Sequence, residues 1–120
     1  MKNKIRRADL SLGQYVGEFY ILVGENQETN DYLGKEFPNV RFDLSLADAY
    51  CFIDLGKKYC IWLRGKVKPL RNGALTHEIV HLSNAILHES GWRYSAINDE
   101  PMAYFAAYLC EQIRIAVKEL

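Results

Sequence analysis

Hydrophobic and polar positions change rhythm near Gly73: before it, β-branched and aromatic residues alternate with polar ones, and after it apolar residues recur at helical intervals. Tyr15 to Val23 is aromatic and β-branched enough to form a strand. Gly24 to Asn39 is polar, carries Gly34 and Pro38, and reads as a loop holding a short helix around Asp31 to Phe37. Val40, Phe42, Leu44 and Leu46 alternate with Arg41, Asp43 and Ser45, which is the period of a half-buried strand. Tyr50–Asp54 and Tyr59–Leu63 flank Leu55-Gly56-Lys57-Lys58, which reads as a hairpin turn. These segments predict a small, mostly antiparallel sheet of about four strands over residues 15–64.

Beyond the change, Leu75, Ile79, Leu82, Ile86 and Leu87 lie on one face of a helix over residues 72–90, and Gly91 is its stop. A second helix is predicted over residues 99–119, capped by Asn98 or Asp99, with Pro101 in the first turn where its missing N–H costs nothing. The predicted fold is α+β: one domain, a sheet first and then two helices packed on it.

Charge narrows the partners. Lys and Arg number 15, as do Asp and Glu, so the formal net charge is zero and neither nucleic acid nor an anionic membrane surface is indicated. Arg6–Arg7 and the basic run Arg64 to Arg71 read as solvated surface. Met1 to Leu12 has no apolar stretch of the secretory kind, and no segment approaches the ~20 apolar residues that span a bilayer, so a cytoplasmic location is expected. Cys51, Cys60 and Cys110 are an odd count without a C-x-x-C pair; Cys51 and Cys60, on neighbouring strands, can approach but are expected as reduced, buried thiols.

Residues 77–81 read His77-Glu78-Ile79-Val80-His81, the H-E-x-x-H pattern. Histidines four apart on a helix share a face, with ~6 Å of rise between them, so both imidazoles can reach one ion. Glu78, rotated by roughly 100° from His77, sits beside such an ion rather than on it. Zinc held by three protein ligands keeps a fourth position for water, whose pKa falls toward ~7. A carboxylate alongside takes that water's proton and returns it to a leaving amine.

A third ligand is needed. His88 lies seven residues past His81, ~10 Å further along the helix, and is read as a surface or capping histidine. The longer pattern H-E-x-x-H-x-x-G-x-x-H is absent, because Asn84 and Leu87 stand where Gly and His are required. Glu89, Asp99 and Glu100 remain; Glu100, opening the second helix, is the best placed of them.

His77-Glu78-x-x-His81 followed by Glu100-x-x-Ala103-Tyr104 resembles the minimal zincin-type metallopeptidases, including compact ones common in bacteriophage and prophage genomes and, more distantly, the ImmA/IrrE-type peptidases. The resemblance covers Gly73 to Val117 and the strand Tyr59–Leu63. It implies His77, His81 and Glu100 as zinc ligands, Glu78 as general base, and a peptide or protein as substrate. It also implies a cleft walled by the edge strand near Trp62 and by the loop Gly65–Arg71. Tyr104, one turn after Glu100, is a candidate to orient that ligand or to hydrogen-bond a developing oxyanion, or else it packs with Phe105 and Tyr108. The alternative function is a non-catalytic domain that keeps zinc for stability or for binding a partner.

Overall fold

The computed structural model describes residues 5–25, 27–54, 56–65, 73–93 and 95–120. The fold is α+β, with strands β1 (Arg6–Leu10), β2 (Glu18–Val23), β3 (Ala49–Asp54) and β4 (Lys58–Leu63), and helices α1 (Gln27–Glu36), α2 (Ala74–Glu89) and α3 (Glu100–Glu119). The sheet order is β1-β2-β4-β3. β1·β2 and β3·β4 are antiparallel, while the central pair β2·β4 is parallel.

The central pair explains its own sequence. Phe19, Ile21 and Val23 of β2, with Tyr59, Ile61 and Leu63 of β4, join the core beneath α2 and α3. Tyr20 and Leu22, with Cys60 and Trp62, point the other way and meet Leu33 and Phe37 of the α1 segment. Strands buried on both faces read as continuous apolar runs rather than alternating ones. The helices therefore cover both faces: the two expected after the sheet pack on one, and α1 covers the other.

Two strand assignments change. Val40–Leu46 forms no strand: Val40 N–H bonds to Phe37 O, Ala47 N–H to Leu44 O, and Ser45 N–H to the Asp43 side chain, all turn bonds. The alternation there is genuine but marks a loop that turns Phe42 and Leu44 onto Phe52 and Trp62 while Leu46 stays exposed. Arg64 satisfies that loop's carbonyls in place of a ladder, donating to Leu44, Ser45 and Ala47 from above the Trp62 ring. The fourth strand is instead Arg6–Leu10, whose two apolar residues, Ala8 and Leu10, face the helices. Arg64 and Arg7 are thus structural, not merely solvated; Lys66–Arg71 lies outside the described residues, as does Leu55 of the hairpin turn.

Arg7 stacks 3.7 Å over the Tyr20 ring and bonds to Asp9 and Tyr32. Beside it, the Glu36 carboxylate meets Lys58 at 3.1 Å, Arg7 at 3.6 Å and the Tyr20 hydroxyl at 3.0 Å. Burial pushes the Glu36 carboxyl up, but the hydrogen bonds from Lys58 and Tyr20 and the charges of Lys58 and Arg7 outweigh it and hold it below its usual 4.5. A carboxylate whose folded pKa is depressed contributes stability that is complete above the unfolded value and is lost as pH falls through the folded one. Glu36→Gln should therefore flatten the loss of stability below about pH 4.5 and leave the slope near neutrality unchanged, read from urea midpoints across the acid range.

Cys51 pairs with Ile61, and Cys60 with Phe52. The one-residue offset sends the two thiols to opposite faces of the sheet, and all three cysteines are free. Among the described residues no helix is long and apolar enough to cross a membrane.

Candidate metal centre

α2 begins after Gly73, which holds φ 71 and accepts the first helical bond from His77 N–H at 3.1 Å. Leu75, Ile79, Leu82, Ile86 and Leu87 are buried and fix the rotation of the helix on the sheet. It ends in a Schellman motif: Gly91, at φ 93, donates to His88 O and Trp92 N–H donates to Leu87 O. The described helix starts at Ala74, and Asn72, its expected start, lies outside the described residues.

With Leu75 and Ile79 turned inward, His77 and His81 face outward on one stripe. Their Nε2 atoms lie 3.1 Å apart, with ring centroids at 4.7 Å and planes at 76°. Two nitrogens on one tetrahedral zinc, each at about 2.05 Å, lie roughly 3.3 Å apart. The pair therefore fits two neighbouring corners of such an ion.

Glu78 stands beside them, its carboxylate 3.7 Å from His77 Nε2 and its side chain 12% exposed against 68% for His77. Burial raises the Glu78 carboxyl above its usual range, opposed in turn by His77, a hydrogen bond from the Cys51 backbone N–H, and His81. That amide belongs to edge strand β3. Arg64 N–H bonds to Asp48 O, so Asp48, Tyr50, Phe52 and Asp54 point their backbone groups at β4. Ala49, Cys51 and Ile53 then point theirs outward. The Glu78–Cys51 bond left no trace in the side-chain sequence, because strand register decides it.

The open edge beside the motif is therefore β3. β4, expected as that edge, lies inside the sheet, and Trp62 is buried on the face away from α2 and donates from Nε1 to Gly24 O at 2.7 Å. The loop Gly65–Arg71, expected as a second wall, lies outside the described residues beyond Gly65.

The structure brings His77, Glu78 and His81 together and does not bring Glu100 to them. Among the described residues no group of three His, Cys, Asp or Glu is arranged to hold a metal. α2 runs two further turns past His81, and the connection returns α3 at that far end. Glu100 there is exposed and shares a cleft with Leu87, Ser90 and Tyr104 that neither histidine lines. Tyr104 is 73% exposed in the same cleft. The residues outside the description include no His, Cys, Asp or Glu, so any third side-chain ligand of those types must come from the described part. His88 is exposed in the last turn of α2, and Glu89 and Asp99 are exposed as well.

Comparison with protein-family models, curated proteins and solved structures gives no match to the chain.

Proposed function

We propose that the chain is a zinc-dependent hydrolase of the metallopeptidase type, acting on a peptide or protein. The observation that carries this is the convergence of His77 and His81 Nε2 atoms at 3.1 Å, with the half-buried Glu78 carboxylate alongside. His77 and His81 would hold the ion. Bound there, zinc supplies Lewis acidity toward a carbonyl and lowers the pKa of water. Glu78 is the base: it takes a proton from the attacking water and passes it to the departing amine nitrogen. The Cys51 amide fixes where that carboxylate stands. An extended substrate can pair with the outward backbone groups of Ala49 and Ile53, one on each side of the amide Glu78 uses.

Glu100 is proposed as the third ligand on the strength of the resemblance, with Tyr104 next to it, and this requires the first turn of α3 to move toward His81. A cytoplasmic setting belongs to the same proposal, since it keeps three free thiols reduced.

Elemental analysis of protein purified without added metal tests the centre. Near-stoichiometric zinc is expected in the parent and in Glu78→Gln, and none in His77→Ala or His81→Ala. Glu100→Gln should weaken zinc binding by more than the roughly 10–100-fold typical of losing an outer-shell partner. A parent protein without metal ends the proposal; a Glu100→Gln protein with unchanged affinity removes only Glu100 from the ligand set. If His77→Ala unfolds the protein while Glu78→Gln changes neither stability nor cleavage, the zinc is structural.

A further inference from the structure

The cleft that holds Glu100 has a chemistry of its own. It opens between the turn Leu12–Tyr15, the end of α2 and the first turns of α3, with a volume of about 790 Å³. Its walls are aromatic: Tyr15, Trp92, Tyr104, Phe105 and Tyr108. Tyr15 meets Phe105 edge-on at 4.7 Å, and Phe105 lies nearly parallel to Tyr108 at 6.3 Å. Tyr108 is tied by its hydroxyl to Ser11 O, which joins the turn to α3 across the cleft. Tyr104 presents its ring to water at 73% exposure.

Among the described residues, Glu100 is the only charged one in the lining, and no Lys, Arg or His contributes. Aromatic faces carry negative potential, so rings and carboxylate act with one sign. Each alone selects little: the rings accept any apolar group, and an exposed carboxylate is content in water. Together they favour a positive charge on an apolar body and disfavour an anion. The walls come from three separate segments that line an open cleft whose volume lies within the range of small-molecule sites, about 300–1,000 Å³.

We infer that this cleft is a binding site for a small organic cation, an amine or quaternary ammonium on an aromatic or alkyl body. The body stacks among Tyr15, Tyr104 and Phe105, and the charge pairs with Glu100. The site goes beyond the hydrolase reading and needs no metal. One carboxylate cannot serve both partners, so a cation in the cleft withholds Glu100 from the histidine pair.

The test is an NMR titration of the full chain, as purified and again with chelator, using phenethylamine, phenethyl alcohol and phenylacetate. The chain has two tryptophans. The Trp92 indole N–H reports the cleft, and that of Trp62, buried on the opposite face, is the control. Phenethylamine should bind roughly ten-fold more tightly than the alcohol, and phenylacetate more weakly than either. Glu100→Gln should erase the amine's advantage and leave the alcohol unchanged; Tyr104→Ala should weaken amine and alcohol alike. Equal binding of the three compounds, a preserved amine advantage in Glu100→Gln, or no shift at Trp92 overturns the inference. So does tighter binding of a lysine-containing tripeptide than of phenethylamine, which would make a polypeptide the occupant. The titration with chelator needs no zinc, and the elemental analysis needs no amine, so the two ideas fail separately.

Discussion

Glu78→Gln should lower kcat for peptide cleavage by roughly 10²–10⁴-fold, the usual contribution of a positioned general base, while zinc content and KM stay at parent values. The amide is nearly isosteric with the carboxylate, and its carbonyl oxygen can still accept the Cys51 N–H, so the approach of α2 to β3 is preserved. What is lost is the ability to take a proton. The half-buried carboxylate is replaced by a neutral group, which burial does not penalise, so the melting temperature should hold or rise. Single-turnover kinetics with a peptide library, set beside metal analysis of both proteins, reads this directly. Cleavage by Glu78→Gln at the parent rate would refute the assignment of Glu78 as base.

A second large effect lies on the other side of the sheet. Trp62→Ala should cost about 3–5 kcal/mol, as large-to-small core changes of Trp and Phe do, and lower the melting temperature by roughly 10–20 °C. Trp62 is 1% exposed, packs with Phe52, Leu44 and Leu22, and lies beneath the Arg64 guanidinium. Its indole N–H satisfies Gly24 O, where the chain leaves β2 for α1. Trp62→Phe keeps most of the volume and loses mainly that bond, so a cost of about 1–3 kcal/mol is expected, with Gly24 O left wanting a donor. Denaturant unfolding of the two variants separates volume from hydrogen bond. Because Trp62 faces away from α2, the folded Trp62→Phe protein should cleave peptide with parent KM. A raised KM without lost stability would return Trp62 to the substrate side.

The two helices after Gly73 were the most legible part of the chain, whereas α1, read as a loop with a short helix around Asp31 to Phe37, runs over Gln27–Glu36. Leu75, Ile79, Leu82 and Ile86 state the period of α2, and Gly91 states its end, because helical bonds are local and a left-handed residue stops them. The hairpin β3–β4 was legible for the same reason, since its partners are close in sequence. Arg6–Leu10 was not. Only two of its five residues are apolar, and what makes it a strand is the open edge of β2, supplied from elsewhere in the chain. Val40–Leu46 misled in the opposite direction: its alternation records which side chains reach the core, and a loop clamped by Arg64 can turn the same side chains inward.

The sequence by itself determined that His77 and His81 share one helix face with Glu78 beside them, because a spacing of four on a helix fixes which side chains share a face before any tertiary contact forms. Only the tertiary structure decided what surrounds it. Strand order made β3 the edge beside the motif and moved β4 to the interior, since sheet neighbours are chosen by packing of both faces and not by order along the chain. Register then gave Glu78 the Cys51 amide, a backbone group that has no letter in the sequence. The length of α2 beyond His81, followed by the return of the chain at that end, placed Glu100 among the aromatic rings of the cleft. Positions within one helix follow from local geometry; positions between helices depend on where the packed chain allows them to meet.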